Sequence, residues 1–109
     1  MPKEDSMSVV KDVIQEEYNR LNDLSRIYAE KICSFPKGSV CVKLRKGNPY
    51  CYLAYRDKKK VRFEYLGRQD SDAVKKIEKE IDERRKYEEK KKQVNENLAE
   101  VRKLLHVLN

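Results

Sequence analysis

The sequence lacks a long apolar run, and that absence argues against a membrane protein. Its longest apolar stretch free of charge, glycine and proline is residues 50–55, six residues, whereas a transmembrane helix needs about 20. The opening residues, Met-Pro-Lys-Glu-Asp, are followed by no apolar segment of the kind found in a signal peptide. We therefore expect no membrane partner and a cytoplasmic location.

Residues that carry chemistry are also scarce. His106 is the single histidine, and three glycines are too few to build a loop that cradles phosphates. Cys33, Cys41 and Cys51 are an odd number in no C-x-x-C spacing, so neither a disulfide framework nor a zinc site is indicated. The sequence predicts a non-enzymatic protein with no cofactor, no metal and three reduced cysteines.

Charge, by contrast, is abundant. Charged residues make up 41% of the chain and hydrophobic residues 39%, whereas typical domains have about 25% charged and roughly 45–50% apolar residues. The 109 residues suffice for one domain. We expect a single domain, residues 1–109, in which long solvated helices surround a small core.

The hydrophobic period changes twice along the chain. Apolar residues recur at steps of three and four in residues 8–33, which predicts an amphipathic helix that ends before Pro36. Residues 38–67 alternate with period two in three β-branched and aromatic runs, which predicts a three-stranded antiparallel meander. Residues 70–108 predict one long helix. The expected fold class is α+β: an antiparallel helical hairpin with an inserted three-stranded antiparallel β-meander and a long C-terminal helix.

Strand register decides which side chains share a face of this sheet. We expect Arg45 opposite Tyr50 across the first turn. One face then carries Val40, Val42, Leu44, Cys51, Leu53 and Tyr55, and the other carries Cys41, Lys43, Arg45, Tyr50, Tyr52 and Arg56. For the third strand, a four-residue loop would place Val61, Phe63 and Tyr65 on the Lys/Arg/Tyr face, and a three- or five-residue loop would place them on the apolar face. We favour the apolar face, because a slip of one residue exposes every buried side chain.

The long helix has two apolar clusters, at residues 73–81 and 94–108, with only Tyr87 between residues 82 and 93. The first cluster should pack under the sheet, and the second should pair with the N-terminal helix. A homodimer through the long C-terminal helix is favoured over a monomer, because the spacing of the second cluster continues over two heptads and exceeds what one partner helix would cover. In the monomer alternative, the N-terminal helix covers that whole stripe.

The net charge of +7 lies in the meander. Residues 35–69 hold 10 basic and 2 acidic side chains, a balance of +8, while residues 1–34 balance at −2 and residues 70–109 at +1. Such a surface attracts polyanions. Tyrosines alternate with the cations, which suits nucleic acid, since cations bind phosphates and rings stack on bases. The candidate nucleic-acid-binding residues are Lys43, Arg45, Tyr50, Tyr52, Arg56, Lys58, Lys59, Lys60, Arg62 and Arg68.

The lysines and tyrosines also have a structural explanation that involves no ligand. Lysines at a hairpin edge prevent sheets from aggregating, and tyrosine is a good strand former. The basic runs at residues 84–86 and 90–92 are flanked by acidic residues at helical spacing, which favours a solvated helix face with i,i+4 ion pairs over a phosphate contact.

The motifs Gly38-Ser-Val, Tyr50-x-Tyr-Leu-x-Tyr-Arg56 and Tyr65-Leu-Gly67 before a helix start resemble the arm-type DNA-binding domains of tyrosine recombinases over Gly38–Ile81. The resemblance implies a three-stranded sheet that packs on one helix and lays its exposed face in the major groove. No recombinase catalytic domain is present, so cleavage is not implied. The whole chain also looks like an uncharacterised family of small bacterial and archaeal helix–meander–long-helix proteins.

These observations together predict a nucleic-acid-binding accessory or regulatory protein, with duplex DNA rather than RNA as the expected partner, from a mobile element. The alternative is a protein-interaction module, an antitoxin or an inhibitor or adaptor of a nucleic-acid enzyme, that binds an acidic protein surface.

Overall fold

The predicted order of elements is confirmed in a computed structural model, which describes residues 3–109 and the side chains from Ser8 onward. The elements are the helix α1 (Lys3–Cys33), the strands β1 (Ser39–Arg45), β2 (Asn48–Asp57) and β3 (Lys60–Arg68), and the helix α2 (Asp72–Leu108). The fold is α+β, with a three-stranded antiparallel sheet between two helices along the chain. Ser71 caps α2, because its Oγ accepts a hydrogen bond from the Val74 amide at 3.4 Å.

The chain divides into two compact units. The helix-pair unit contains α1 as far as Lys31 and the segment Tyr87–Asn109, and the sheet unit contains Ile32–Lys86. Within the described residues, neither helix has an apolar window long enough to cross a bilayer.

The helix-pair unit is held together by an antiparallel seam, as the second apolar cluster predicts. Leu21, Val94 and Leu98 are its buried core. Ser25 contacts Asn95 at 3.1 Å, and the guanidinium of Arg102 lies 5.9 Å from the ring of Tyr18. Leu105 is also buried. The stripe that favoured a homodimer is therefore largely covered within one chain, so the homodimer loses that support and is left for the molecular mass to decide.

Both turns of the meander are two residues long. Lys46 and Gly47 both have positive φ, 52° and 82°, the backbone of a type I′ turn, whose twist matches that of the flanking strands. Arg45 therefore pairs with Asn48, and Tyr50 pairs with Lys43. The predicted pairing of Arg45 with Tyr50 is wrong by two residues. Because the period of a strand is two, the faces of β1 and β2 nevertheless remain as predicted.

The predicted face of β3 is wrong. Val61, Phe63 and Tyr65 pair with Arg56, Ala54 and Tyr52 and so lie on the Lys/Arg/Tyr face. The second turn, Lys58-Lys59, has an even number of residues, like the four-residue loop that we rejected. The two have the same parity, so they place the side chains of β3 on the same face. Apolar side chains alone did not settle the register, because hairpin geometry fixes it locally. We call this side of the sheet the open face, since all three residues are more than half exposed.

The other side, the covered face, contains the small core of the sheet unit. Cys51 and Leu53 from the sheet and Val74 and Ile81 from α2 are its buried residues, which agrees with the prediction that the first apolar cluster packs under the sheet. Burial of this face does not extend to the first turn, where Leu44 is 73% exposed.

Two further contacts fix the start of β1. Arg84 donates hydrogen bonds to the carbonyl oxygens of Pro36 and Gly38. Gly38 has a φ of 91°, and a Cβ there would lie 2.1 Å from the carbonyl oxygen of Ala54. Only glycine fits this position, so Gly38 sets where β1 joins the sheet.

Candidate nucleic-acid interface

Three tyrosine rings cluster on the open face. Tyr50 and Tyr52 are alternate residues of β2, so both point to the same side, and Tyr65 pairs with Tyr52 from β3. The rings of Tyr52 and Tyr65 meet edge to face with centroids 5.5 Å apart, and those of Tyr50 and Tyr65 are 6.2 Å apart. Such contacts hold the rings in fixed orientations on the surface.

Two cations from β1 lie over these rings. Lys43 Nζ is 3.8 Å from the centroid of Phe63 and 5.2 Å from that of Tyr52, and Arg45 Cζ is 5.8 Å from the centroid of Tyr52. Lys43 reaches Phe63 across β2, where the paired residue is the small Ala54. Cation–π attraction contributes roughly 0.5–1 kcal/mol at exposed sites, so the charges are held on the aromatic surface.

A shallow pocket of about 280 Å³ opens beside this cluster. We call it the tyrosine pocket. It is lined by Arg45, Lys46, Asn48, Tyr50, Tyr52 and Tyr65. Its walls are ring surfaces, and its rim carries two positive charges and one amide.

A β-bulge brings one more cation to this side. Between Cys51 and Tyr52 the register with β3 shifts: Tyr52 pairs with Tyr65, whereas Cys51 pairs with Gly67. The extra residue is Leu66, and the shift sets Arg68 rather than Gly67 opposite Tyr50. Bulges of this kind re-aim side chains at the ends of strands, and here the bulge adds Arg68 to the open face.

The sequence-predicted site residues separate into three groups. Lys43, Arg45, Tyr50, Tyr52, Arg56 and Arg68 share the open face. Lys58, Lys59 and Lys60 lie at the second turn, where they line a separate shallow groove.

Arg62 is the predicted residue that the fold removes from this face. It pairs with Tyr55 on the opposite side, and its Nε lies 2.8 Å from Asp57 Oδ2. The register of β3 that exposes Phe63 and Tyr65 also turns Arg62 away, so including Arg62 in the aromatic face was wrong.

Sequence reasoning missed the contributions of Phe63, Tyr65, Lys46 and Asn48. The parity of the second turn was the signal for the first two, since only two residues separate Asp57 at the end of β2 from Lys60 at the start of β3. Lys46 and Asn48 sit at the first turn, whose length was predicted as four residues and is two.

Cys51 is the buried one of the three cysteines. Burial raises the pKa of the Cys51 thiol, with Glu78 nearby as a smaller cause. A buried thiol with a raised pKa is a poor nucleophile. No group of three metal-ligating side chains is found among the side chains that the structure describes, from Ser8 onward.

Comparison with known proteins finds a family model that matches more than half of the chain. A family model described as Domain of unknown function (DUF6788) matches residues 12–76, which include most of α1, the whole meander and the first turn of α2. No curated protein and no solved structure matches the chain. The resemblance to arm-type domains of tyrosine recombinases therefore stays a prediction.

Proposed function

We propose that this chain, which belongs to the DUF6788 family, is a non-enzymatic nucleic-acid-binding protein that uses the open face of its sheet and the lysines of the second turn. The observation that carries the proposal is the packing of Lys43 and Arg45 over aromatic rings, the exposed ring of Phe63 and the half-buried ring of Tyr52. A surface of this kind offers cations to phosphates and rings to bases or sugars. The role is an accessory or regulatory one in the cytoplasm, where the free thiols of the chain are stable.

The charge of the meander supports the same ligand. Residues 35–69 hold 10 basic and 2 acidic side chains. On the covered side, the positive charge of Arg62 is offset by Asp57, with which it forms an ion pair. Lys43 and Arg45 of the open face pack on rings, and rings leave their charge available to phosphate. The open face is therefore the part of the sheet where attraction for a polyanion is concentrated.

The test is fluorescence anisotropy with labelled duplex DNA, single-stranded DNA and single-stranded RNA over a series of salt concentrations. We expect binding to weaken steeply with salt, with a slope of log K against log salt of about −4 to −5 for the four to six phosphates that the meander can contact. A flat salt dependence would exclude the electrostatic mechanism.

The chain offers a matched control for position. Replacing Lys58, Lys59 and Lys60 by Glu, or Lys90, Lys91 and Lys92 by Glu, changes the net charge from +7 by the same six units, to +1. We expect the triple variant at the turn to weaken binding of all sequences at least tenfold and to reduce the salt slope by up to three. The triple variant in α2 should have a much smaller effect. Equal losses would show that only net charge matters and would overturn the assignment to the sheet.

An acidic protein surface is the alternative partner. Tyrosine and arginine are also enriched at protein interfaces. The anisotropy experiment on nucleic acids therefore also decides between the two kinds of partner. If none of the three nucleic acids binds even at low salt, the nucleic-acid proposal fails and the acidic protein partner takes its place.

A further inference from the structure

We propose that the open face binds unpaired bases, one of them in the tyrosine pocket, so that the ligand is a single-stranded segment rather than an intact duplex. This inference rests on the proposed function, since it names the form of nucleic acid that the same face takes. It departs from the duplex DNA that the sequence predicts, and the reason is the register of β3.

The register of β3 changes the chemistry of the face. In the predicted register, β3 would have added the charged side chains of Arg62 and Glu64, a pattern suited to phosphates and polar base edges. In the structure, β3 adds Val61, Phe63 and Tyr65, and these are 55%, 51% and 57% exposed. Aromatic surface of this extent gains little from phosphates, whereas stacking on a base removes it from water.

Stacking requires that a base present its flat side. In a duplex each base is covered above and below by its neighbours, and only its edges reach the grooves. An unpaired base presents its whole ring, and sheet surfaces that carry aromatics bind such bases by stacking. The cluster of Tyr50, Tyr52 and Tyr65 and the separate ring of Phe63 therefore provide two stacking positions on one face.

The tyrosine pocket adds the polar contacts that one nucleotide needs. Its rim holds the positive charges of Arg45 and Lys46 for a phosphate, and the amide of Asn48 for a base edge. An Asn side chain has both a donor and an acceptor and pairs in a bidentate way with adenine. We therefore assign the pocket to a base, with Arg45 and Lys46 on its phosphate.

The second stacking position has its own cation. Lys43 Nζ lies 3.8 Å from the centroid of Phe63, so an incoming base must share that ring with the ammonium group or displace it. A displaced ammonium group becomes available to the phosphate of the same nucleotide. The exchange keeps a charge next to the strand while the ring is freed for the base.

The experiment compares three probes of equal length: a mixed-sequence single-stranded DNA, the same strand annealed to its complement, and an oligomer with the same phosphates but no bases. We expect the single strand to bind more tightly than the abasic oligomer and, for equal phosphate count, more tightly than the duplex. The chain has seven tyrosines and no tryptophan, so quenching of tyrosine emission reports stacking directly. Quenching by the single strand but not by the abasic oligomer is expected.

Variants then separate stacking from charge. Tyr65→Ala and Phe63→Ala should each weaken single-strand binding by about 5- to 150-fold, the range seen when a stacking ring is removed, with little change for the abasic oligomer. Tyr65→Phe should keep most of the affinity, because it keeps the ring. Leu104→Ala, which removes a comparable exposed apolar side chain from the helix-pair unit, should have no effect. Circular dichroism melting checks that each variant is folded.

The outcomes distinguish this inference from the proposed function. If the three probes bind alike, and Tyr65→Ala changes none of them while the Lys58–Lys60 variant weakens all, the stacking inference is wrong and the proposed function stands. If no probe binds, both fail. Tighter binding of the duplex, with unchanged tyrosine emission, would return the ligand to duplex DNA.

Discussion

The two faces of the sheet are built from the same three strands but differ in nearly every physical property. The covered face buries Cys51 and Leu53 with residues of α2 and contributes stability. The open face leaves Phe63 and Tyr65 in contact with water, with the ammonium group of Lys43 over the ring of Phe63. Apolar content does not separate the two, because both are rich in apolar residues. What separates them is whether a helix lies on them, and turn parity decides which residues go to which face.

The largest difference between the faces should appear in thiol reactivity. Cys51 is fully buried and its pKa is raised by burial, whereas Cys41 is half-buried on the open face. At any pH below its raised pKa, Cys51 holds less thiolate than an ordinary thiol, and labelling it requires the unit to open. We expect Cys51 to react with a thiol reagent about a thousandfold more slowly than Cys41, as measured by mass spectrometry of labelled peptides. Equal rates would contradict the burial of Cys51.

Truncating one side chain on each face should give unequal losses of stability. Leu53→Ala leaves a cavity in a small core and should lower the free energy of unfolding by about 3 kcal/mol. Phe63→Ala removes a half-exposed ring and should cost less than about 1 kcal/mol. Urea unfolding followed by circular dichroism measures both. A similar loss for both variants would mean that the open face is covered in solution.

A second copy of the chain is one way to cover the open face, and the molecular mass tests it. The buried stripe of Val94, Leu98 and Leu105 gives no drive to dimerise, so we expect sedimentation equilibrium at tens of micromolar to give the chain mass of 13.0 kDa. Twice that mass would restore the homodimer. Its interface would then be sought by repeating the measurement with Phe63→Ala and with Leu104→Ala.

The smallest effect concerns the turn that fixes the parity of β3. Lys58 has a φ of 57°, in the left-handed region that costs ordinary residues roughly 1–2 kcal/mol and that asparagine tolerates better. Lys58→Asn should therefore raise the free energy of unfolding by about 0.5 kcal/mol. Lys59→Asn makes the same change of charge at the neighbouring position and is the control. No gain for Lys58→Asn over this control would mean that the strain at Lys58 is relieved elsewhere.

The sequence carried enough information to predict the order of the helices and strands and the faces of two of the three strands. Helical spacing predicts both helices, and the alternation of Val40 and Val42 with Lys43 and Arg45 predicts the faces of β1 and β2. That assignment survived an error of two residues in the first turn, because such an error leaves parity unchanged.

The third strand could not be placed by the same reasoning. Val61, Phe63 and Tyr65 look like core residues, so their apolar character predicts burial, whereas the two-residue turn at Lys58 sets the opposite parity. The bulge that adds Arg68 leaves no mark in the hydrophobic pattern either, since it depends on how β3 pairs beyond Tyr65. The candidate site was therefore predicted in most of its β1 and β2 residues and in Arg68, and it was missed at Phe63 and Tyr65 of β3, where its aromatic surface is completed.

The two-residue turns also bear on the order in which the chain folds. The meander forms from neighbouring segments, and hairpins of this kind close in roughly 1–10 μs. The seam of the helix pair, by contrast, joins Ser25 to Asn95, 70 residues apart along the chain, and closing so long a loop costs more conformational entropy. A meander that is already formed shortens the flexible chain between those residues. We therefore expect the sheet to nucleate folding and the helices to pair afterwards, so that a slower meander would delay the whole chain.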